Sequence, residues 1–128
     1  MKYYFSKSIN ETFGRAVERV TEALKEEGFG ILTEIDIQTT MKKKLNVDFR
    51  PYKILGACNP PFAYKALLAE NKIGTMLPCN VIVQEINEGE VEIAAIDPAA
   101  SMQAVENESL VEVAEVIRGK LKSVVENL

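Results

Sequence analysis

The feature that most constrains the fold of this chain is a stripe of apolar residues near its carboxyl end. Apolar side chains recur there at spacings of three and four residues, which is the period of one face of an α-helix. The stripe comprises Leu110, Val113, Ala114, Ile117, Leu121, Val124, Val125 and Leu128. A capping box formed by Ser109 and Glu112 indicates where this helix begins. A helix with such a face must bury it against a second layer of structure.

A second amphipathic helix is predicted close to the amino end. Residues 2–7 are expected to form a short strand, after which Ser8 and Glu11 form another capping box. The helical face that follows contains Phe13, Ala16, Val17, Val20 and Leu24. Gly28 is expected to end this helix, because glycine readily adopts the left-handed conformation that often follows a helix.

Four further segments have the patterns of strands. Residues 30–38 alternate between apolar and polar side chains, and residues 51–58 are also expected to form a strand. Residues 80–86 and 90–96 are predicted to form a hairpin whose turn is the Asn-Glu-Gly segment at residues 87–89.

The remaining segments complete the order of elements. Asn59 is expected to cap a helix whose first residue is Pro60 and which runs to about Glu70. Residues 39–46 are expected to form a loop with a helical turn. The resulting order is β-α-β-β-α-β-β-α, which predicts an α+β fold, a two-layer sandwich in a single domain over residues 1–128.

The composition argues against several classes of function. Of the 128 residues, 47% are hydrophobic and 27% are charged, as in ordinary globular proteins. The net charge of −4 argues against a nucleic-acid partner, and the three lysines at residues 42–44 are interpreted as solvated surface. The first residues lack the apolar core of a signal peptide, and no apolar run is long enough to span a membrane. We therefore expect a cytoplasmic protein without a membrane partner.

Histidine is absent from the chain. Its absence removes the Ser-His and Cys-His pairs and the histidine-ligated metal sites that many enzymes use. Glu34 and Asp36 share one face of a predicted strand, but carboxylate pairs in such positions are more often solvated surface than acid-base or Ca²⁺ sites. We therefore expect a protein that is not an enzyme and that needs neither a cofactor nor a metal ion.

The two cysteines of the chain lie in matched motifs. One reads Gly-Ala-Cys-Asn-Pro-Pro over residues 56–61, and the other reads Leu-Pro-Cys-Asn over residues 77–80. Proline restricts the backbone and asparagine caps or turns it, so each motif predicts a fixed backbone path. The candidate ligand-binding residues are Cys58, Asn59, Pro60, Pro78, Cys79 and Asn80. Phe62 and Tyr64 are candidates for the wall of a pocket beside them.

These motifs occur in an order that is similar to that of a known family. The segment 36–45 with its lysines, the string 52–60, the motif 77–80 and the Asp-Pro pair at 97–98 together resemble the Domain of Unknown Function 302 family. The resemblance covers essentially the whole chain. It implies a small α+β fold similar to the TATA-binding-protein-like class, and it implies no established activity. Such a fold does not imply DNA binding, because function lies in sites and not in folds.

The sequence leaves two interpretations of the cysteines open. If the strands that end at Cys58 and begin at Cys79 are antiparallel neighbours, both motifs lie at one edge of the sheet, whereas a parallel crossover separates them. A shared site would bind a small apolar ligand or, alternatively, serve thiol-dependent redox chemistry or metal binding. The second interpretation is that both cysteines are buried as small hydrophobic residues of the core.

The predicted layers leave one face of the sheet bare. The residues expected on this face are Leu32, Leu55, Ile82, Ile86 and Ile96, beside Glu34, Asp36 and Lys53. A partly apolar open face favours a partner, and a homodimer is the commonest solution. The alternative is that the sheet curls and covers its own face.

Overall fold

The computed structural model of the protein describes residues 2–128 and is built around a five-stranded sheet. The strands are β1 (Tyr4–Asn10), β2 (Gly30–Asp36), β3 (Tyr52–Cys58), β4 (Cys79–Asn87) and β5 (Glu90–Ile96). Their order is β1-β5-β4-β3-β2, and every neighbouring pair is antiparallel. The predicted α+β class is confirmed.

Helices connect the strands within the described residues. They are α1 (Phe13–Glu26), α2 (Ile37–Leu45), α3 (Pro60–Ala69), α4 (Pro98–Ser101) and α5 (Glu108–Glu126), with a 3₁₀ turn over Ile73–Met76. The long helices α1 and α5 pack against each other and against one face of the sheet. The architecture is therefore two layers, as the sequence predicted, with α2 and α4 in addition to the predicted order.

The hydrophobic core lies between the sheet and these two long helices. The strands contribute Leu55, Val81, Val83, Val91, Ile93 and Ala95, and α1 contributes Ala16, Val20 and Leu24. From α5, the core receives Ile117, Leu121, Val124 and Val125. The apolar stripe at the carboxyl end thus has the role that its spacing predicts, since these four residues are buried in the core, while Leu110 at the start of the helix is buried in a smaller cluster with Ala66 and Ile73.

Two glycines adopt left-handed backbone conformations where the sequence places chain reversals. Gly28 follows α1 with φ +88°, and Gly89 lies in the β4–β5 turn with φ +76°. Both conformations strain residues that have a Cβ atom, whereas glycine adopts them freely. The predicted end of the first helix and the predicted hairpin are both confirmed.

The two predicted capping boxes are wrong. Ser8 lies within β1, opposite Glu92 of β5, and α1 is instead capped by Thr12, whose Oγ1 accepts a hydrogen bond from the Arg15 amide at 3.3 Å. Strand pairing along the whole of β1 holds Ser8 in an extended conformation. At the other helix, Asn107 replaces Ser109 as the cap, with its Oδ1 accepting from the Ser109 amide at 3.0 Å.

The same Asn107 side chain also joins two helices. Its Nδ2 donates a hydrogen bond to the Ala69 carbonyl at the end of α3, at 2.9 Å. This bond spans 38 residues, so the spacing of residues along the chain gives no sign of it. The start of α5 is therefore set by a tertiary contact that local capping rules do not include.

The segment after β2 also differs from expectation. The sequence predicts a strand to residue 38 and a loop with a helical turn over 39–46, whereas a continuous helix, α2, begins directly at Ile37. Asp36 caps this helix, since its Oδ1 accepts a hydrogen bond from the Thr39 amide at 3.0 Å. The three lysines of residues 42–44 lie in the last turn, where positive charge interacts favourably with the helix dipole.

The Asp-Pro pair after β5 starts a short helix. Asp97 is 4% exposed, and its Oδ1 accepts a hydrogen bond from the Ala99 amide at 3.0 Å, which caps α4. Its second oxygen pairs with Nε of Arg118 at 3.1 Å, and this guanidinium lies 5.2 Å from the centre of the Phe5 ring. Asp97 thereby joins the end of β5 to α5, and both of its carboxylate oxygens have partners.

The assignment of residues to the open face is partly wrong. Leu55 is 1% exposed, because it lies opposite Val81 in the register of β3 and β4 and both side chains face the helices. Lys53 lies two residues from Leu55 and therefore on the same face, where it pairs with Glu34 at 2.7 Å. Glu34 lies opposite Leu55 and Asp36 lies opposite Lys53, so neither carboxylate is on the open face.

The open face has a groove of about 400 Å³, which we call the open-face groove. Its lining includes Tyr3, Tyr4, Tyr52, Asn80, Ile82, Gln84, Glu92, Ala94 and Ile96. Ile82 and Ile96 are therefore on the predicted side, and Ile86 is exposed near the hairpin. Leu32 instead lies at an irregularity in the pairing of β2 with β3 and lines a different pocket.

Candidate functional site

The two cysteine motifs meet at one end of the sheet. β3 and β4 are antiparallel neighbours, and Ala57 lies directly opposite Cys79 in their register. Gly56 lies opposite Asn80 in the same register and Cys58 is the next residue along β3, so the two motifs lie side by side. The condition that the sequence left open is therefore met, and the twenty intervening residues bring the chain back to the same edge.

A pocket of about 300 Å³ opens at this edge, and we call it the apolar pocket. Its walls from the strand ends and from α3 include Ala57, Cys58, Cys79, Phe62, Ala63 and Leu67. Helix α5 contributes Val113, Ala114 and Ile117, and the α4 region contributes Pro98 and Met102. None of the described residues that line it carries a charge, so this pocket favours uncharged, apolar contents.

Four of the six candidate residues line the apolar pocket, namely Cys58, Asn59, Pro78 and Cys79. Pro60 is exposed at the first position of α3 and lies outside the pocket lining. Asn80 follows Cys79 on β4, so its side chain points to the opposite face of the sheet and lines the open-face groove. The two motifs therefore divide between the two faces of the sheet.

The Cys79 thiol has an altered acidity. Burial, together with a smaller contribution from the nearby Cys58, raises its pKa from 9.0 to about 11. Burial acts in this way because an apolar environment disfavours the charged thiolate. Cys79 is therefore a neutral thiol at physiological pH, which makes it a weak nucleophile and a weak metal ligand until it loses its proton.

Asn59 occupies the predicted cap position before α3 but makes no side-chain capping bond there. Its side chain is 7% exposed, and its Nδ2 donates a hydrogen bond to the Glu27 carbonyl at 3.1 Å. Glu27 directly follows the last residue of α1, so this bond joins the end of α1 to the start of α3. Asn59 thereby positions one wall of the apolar pocket.

The Asn59 bond is tested by replacement of Asn59 with alanine. We expect the free energy of unfolding to fall by about 1–2 kcal/mol, because the half-buried Glu27 carbonyl loses its donor. Urea unfolding followed by circular dichroism measures this change. A matched control is Asn127→Ala, which removes an exposed amide donor to the Ser123 carbonyl and should change stability by less than about 0.5 kcal/mol. Equal effects of the two substitutions would contradict this role of Asn59.

Sequence reasoning missed the α5 wall of the apolar pocket. Val113, Ala114 and Ile117 belong to the predicted apolar stripe, and no feature of the stripe separates residues that face the pocket from those that face the sheet. Phe62 lines the pocket as expected. Tyr64 points outwards instead, because it lies two residues from Phe62 and therefore on another face of α3.

The other candidate clusters have structural partners. Glu34 pairs with Lys53, and Asp36 caps α2, so the two carboxylates do not converge on a shared site. Over residues 2–128, no group of three or more Cys, Asp or Glu side chains is arranged to hold a metal ion. The same residues include no helix that is both long and apolar enough to cross a membrane.

Comparison with known proteins agrees with the fold. A solved structure, that of the uncharacterized conserved protein DUF302 from Bacillus stearothermophilus, has a TM-score of 0.89 and 27% sequence identity to this chain. The similarity covers 98% of each chain. No curated protein matches the sequence. The family described as Domain of unknown function DUF302 matches residues 5–128, and the chain therefore belongs to this family.

Proposed function

We propose that this protein binds a small, uncharged, apolar ligand in the apolar pocket. The observation that carries the proposal is that pocket itself, about 300 Å³ in volume and lined by apolar side chains at the point where the two cysteine motifs meet. Binding sites for small molecules typically have volumes of roughly 300–1,000 Å³, with mostly apolar walls and few polar groups. A pocket at the lower end of this range suits a small ligand.

The polar groups of the apolar pocket support a neutral ligand. Cys79 carries a proton at physiological pH, and the Nδ2 donor of Asn59 is already bound to the Glu27 carbonyl. An ionised ligand would lose its hydration in the pocket without meeting an opposite charge there, which is costly. An uncharged ligand loses little by leaving water and gains apolar contact.

A thiol-dependent redox or metal-binding function is the alternative use of Cys58 and Cys79. The convergence of both cysteines on one pocket favours it, but the high pKa of Cys79 opposes formation of the thiolate that either chemistry needs. Two cysteines are also fewer than the four ligands that structural zinc sites commonly have. We therefore rank apolar ligand binding first.

A matched pair of fluorescent probes tests the proposal. N-phenyl-1-naphthylamine is neutral and apolar, and 8-anilinonaphthalene-1-sulfonate is its analogue with one added negative charge. We expect the neutral probe to bind with higher affinity than the sulfonate. Replacement of Ala63 with phenylalanine fills the pocket from α3 and should weaken binding of the neutral probe at least about tenfold, which corresponds to 1.4 kcal/mol.

The control for this experiment is Ala94→Phe, which places the same side chain in the open-face groove. This variant should keep the affinity of the unmodified protein, and circular dichroism should show that both variants fold. Ala63→Leu offers a smaller filling substitution if the phenylalanine variant unfolds. The proposal fails if the neutral probe does not bind, if the sulfonate binds as tightly, or if only Ala94→Phe blocks binding.

A further inference from the structure

The open face of the sheet carries a row of mostly apolar residues opposite the layer of the two long helices. The directly opposed residues across its middle are Ser6, Ala94, Ile82, Ile54 and Ile35. Ile35 is 46% exposed, although it is a large apolar residue. A contiguous apolar surface of this kind marks a site of interaction more often than isolated exposed residues do.

The residues around this apolar row are of the types that protein interfaces favour. Tyr3, Tyr4 and Tyr52 line the open-face groove, and Arg50 lies 5.6 Å from the ring centre of Tyr52. Tyrosine and arginine are enriched at the centres of interfaces, whereas acidic residues and lysine are depleted there. Three of the four tyrosines in the chain lie on this face, so its composition differs from that of an ordinary solvated surface.

The charges of the open face balance, although the chain carries a net charge of −4. Arg50 donates from Nε to Oε1 of Gln84 at 2.8 Å, and Nε2 of Gln84 donates to Glu92 at 2.8 Å. Lys2 lies over the ring of Tyr4 at the start of β1, and Glu90 shares the face of Glu92 at the start of β5. Two positive and two negative side chains therefore border the apolar row.

The positions of Lys2 and Glu90 make the face complementary to itself. Tyr4 lies opposite Ile96, whereas Glu90 lies six residues away at the other end of β5. At about 3.4 Å per residue, this places Lys2 and Glu90 some 20 Å apart along the strands. Consider a two-fold axis that lies between two stacked sheets and runs perpendicular to their strands. Such an axis would bring Lys2 of each copy over Glu90 of the other, and a symmetric interface requires this reciprocity.

The area of the open face is also of the size that a dimer needs. Five strands that are about 4.8 Å apart and seven residues long have a flat, projected area of roughly 570 Å². The accessible surface of this face is larger, because the side chains protrude from it. Standard interfaces bury about 800 Å² of accessible surface on each partner, and this accessible area includes the protruding side chains. A second copy of the chain therefore matches the open face in area as well as in charge.

We propose that the open face binds the open face of a second copy of this chain, with the Lys2 end of each sheet against the Glu90 end of the other. Sedimentation velocity and equilibrium over a concentration series measure the mass of the protein. We expect a species of twice the 14.2 kDa chain mass. Ile82→Glu places a charge at the centre of the apolar row and should raise the dissociation constant at least about a hundredfold.

A matched control distinguishes the open face from the other exposed apolar surface of the protein. Leu68 is 70% exposed on α3, and Leu68→Glu should leave the dimer intact. Ile35→Glu provides a second open-face variant at the sheet edge if Ile82→Glu does not fold, as judged by circular dichroism. The proposal is overturned if the unmodified protein is a monomer at every concentration, or if Leu68→Glu separates the copies while the open-face variants do not.

The orientation of the two copies has its own test. Lys2→Glu and Glu90→Lys should each weaken the dimer several-fold at low salt, because each places like charges together. The double substitution restores opposite charges and should return the dissociation constant to near its original value. Single reversals without effect, or a double variant weaker than both, would overturn the proposed pairing of the strand ends.

Discussion

Iodoacetamide should modify Cys79 at pH 7 at least about a hundred times more slowly in the folded protein than in the urea-unfolded chain. The physical reason is the difference between a pKa of about 11 in the folded state and the ordinary value of 9.0. Only the thiolate reacts, and two pKa units lower its fraction about a hundredfold at neutral pH. Peptide mass spectrometry at timed intervals measures the rate at Cys79 separately from that at Cys58.

The control for this measurement is a Cys58→Ala variant, which removes the smaller of the two causes of the pKa shift. Because burial is the larger cause, Cys79 should remain strongly protected in this variant. Similar rates in the folded and unfolded states would show that Cys79 reaches solvent as a normal thiol. That result would strengthen the thiol-based alternative at the expense of the neutral apolar pocket.

The same pKa shift makes stability depend on pH in the alkaline range. Below pH 9 the Cys79 thiol is protonated in both the folded and the unfolded state, so its ionisation does not lower the free energy of unfolding. Between about pH 9 and 11 the unfolded chain loses this proton and the folded protein keeps it, so stability falls as the pH rises. Compared with Cys79→Ala, the unmodified protein should lose up to about 3 kcal/mol more over this range, measured by urea unfolding.

Replacement of Gly56 by alanine should destabilise the protein by about 1–3 kcal/mol, the usual cost of overpacking. A Cβ atom at this position would clash with Oγ1 of Thr33 and would lie 2.7 Å from Cγ of Pro78. Thr33 can turn its hydroxyl away by rotation about χ1, but Cγ of Pro78 belongs to a ring that is closed onto the backbone, so the proline cannot move away without a shift of its backbone. Thermal unfolding should show a lower midpoint temperature for this variant.

Gly119→Ala is the matched control for the Gly56 substitution. Apart from its chain neighbours and the adjacent helix backbone, no atom lies within 4 Å of a Cβ built at Gly119, which is in the interior of α5. Alanine favours the helix over glycine, so this variant should be more stable by roughly 0.5–1 kcal/mol. If Gly56→Ala were as stable as the original protein, the close packing of Pro78 over β3 would not hold in solution.

The Gly56 packing explains part of the motif arrangement that the sequence displays. Gly56 precedes Cys58 by two residues, and Pro78 directly precedes Cys79. The two are far apart along the chain, but the Pro78 ring packs in the space that a side chain at Gly56 would occupy. The sequence indicates that each motif has a fixed backbone path. The contact between the two motifs follows only from the antiparallel pairing of β3 with β4.

Leu55 shows how a residue of a correctly predicted strand can be assigned to the wrong face, and Asn80 shows how two neighbouring residues of one motif point to opposite faces. Both lie in strands that the sequence predicts well. Alternation along a strand relates residues within that strand, but the pairing register decides which alternate set meets the helices. Leu55 pairs with Val81 and is buried, and Asn80 points to the open face, away from the apolar pocket.

By itself, the sequence of this protein determined the elements whose signals lie close together along the chain. The apolar stripe of α5, the glycine at the end of α1, the β4–β5 hairpin and the class of fold all follow from local spacing and backbone preference. Only the tertiary structure decided which strands are neighbours, where α5 begins, and which side chains enclose the apolar pocket. These features depend on contacts between residues tens of positions apart, such as the bond from Asn107 to Ala69, which local patterns do not encode.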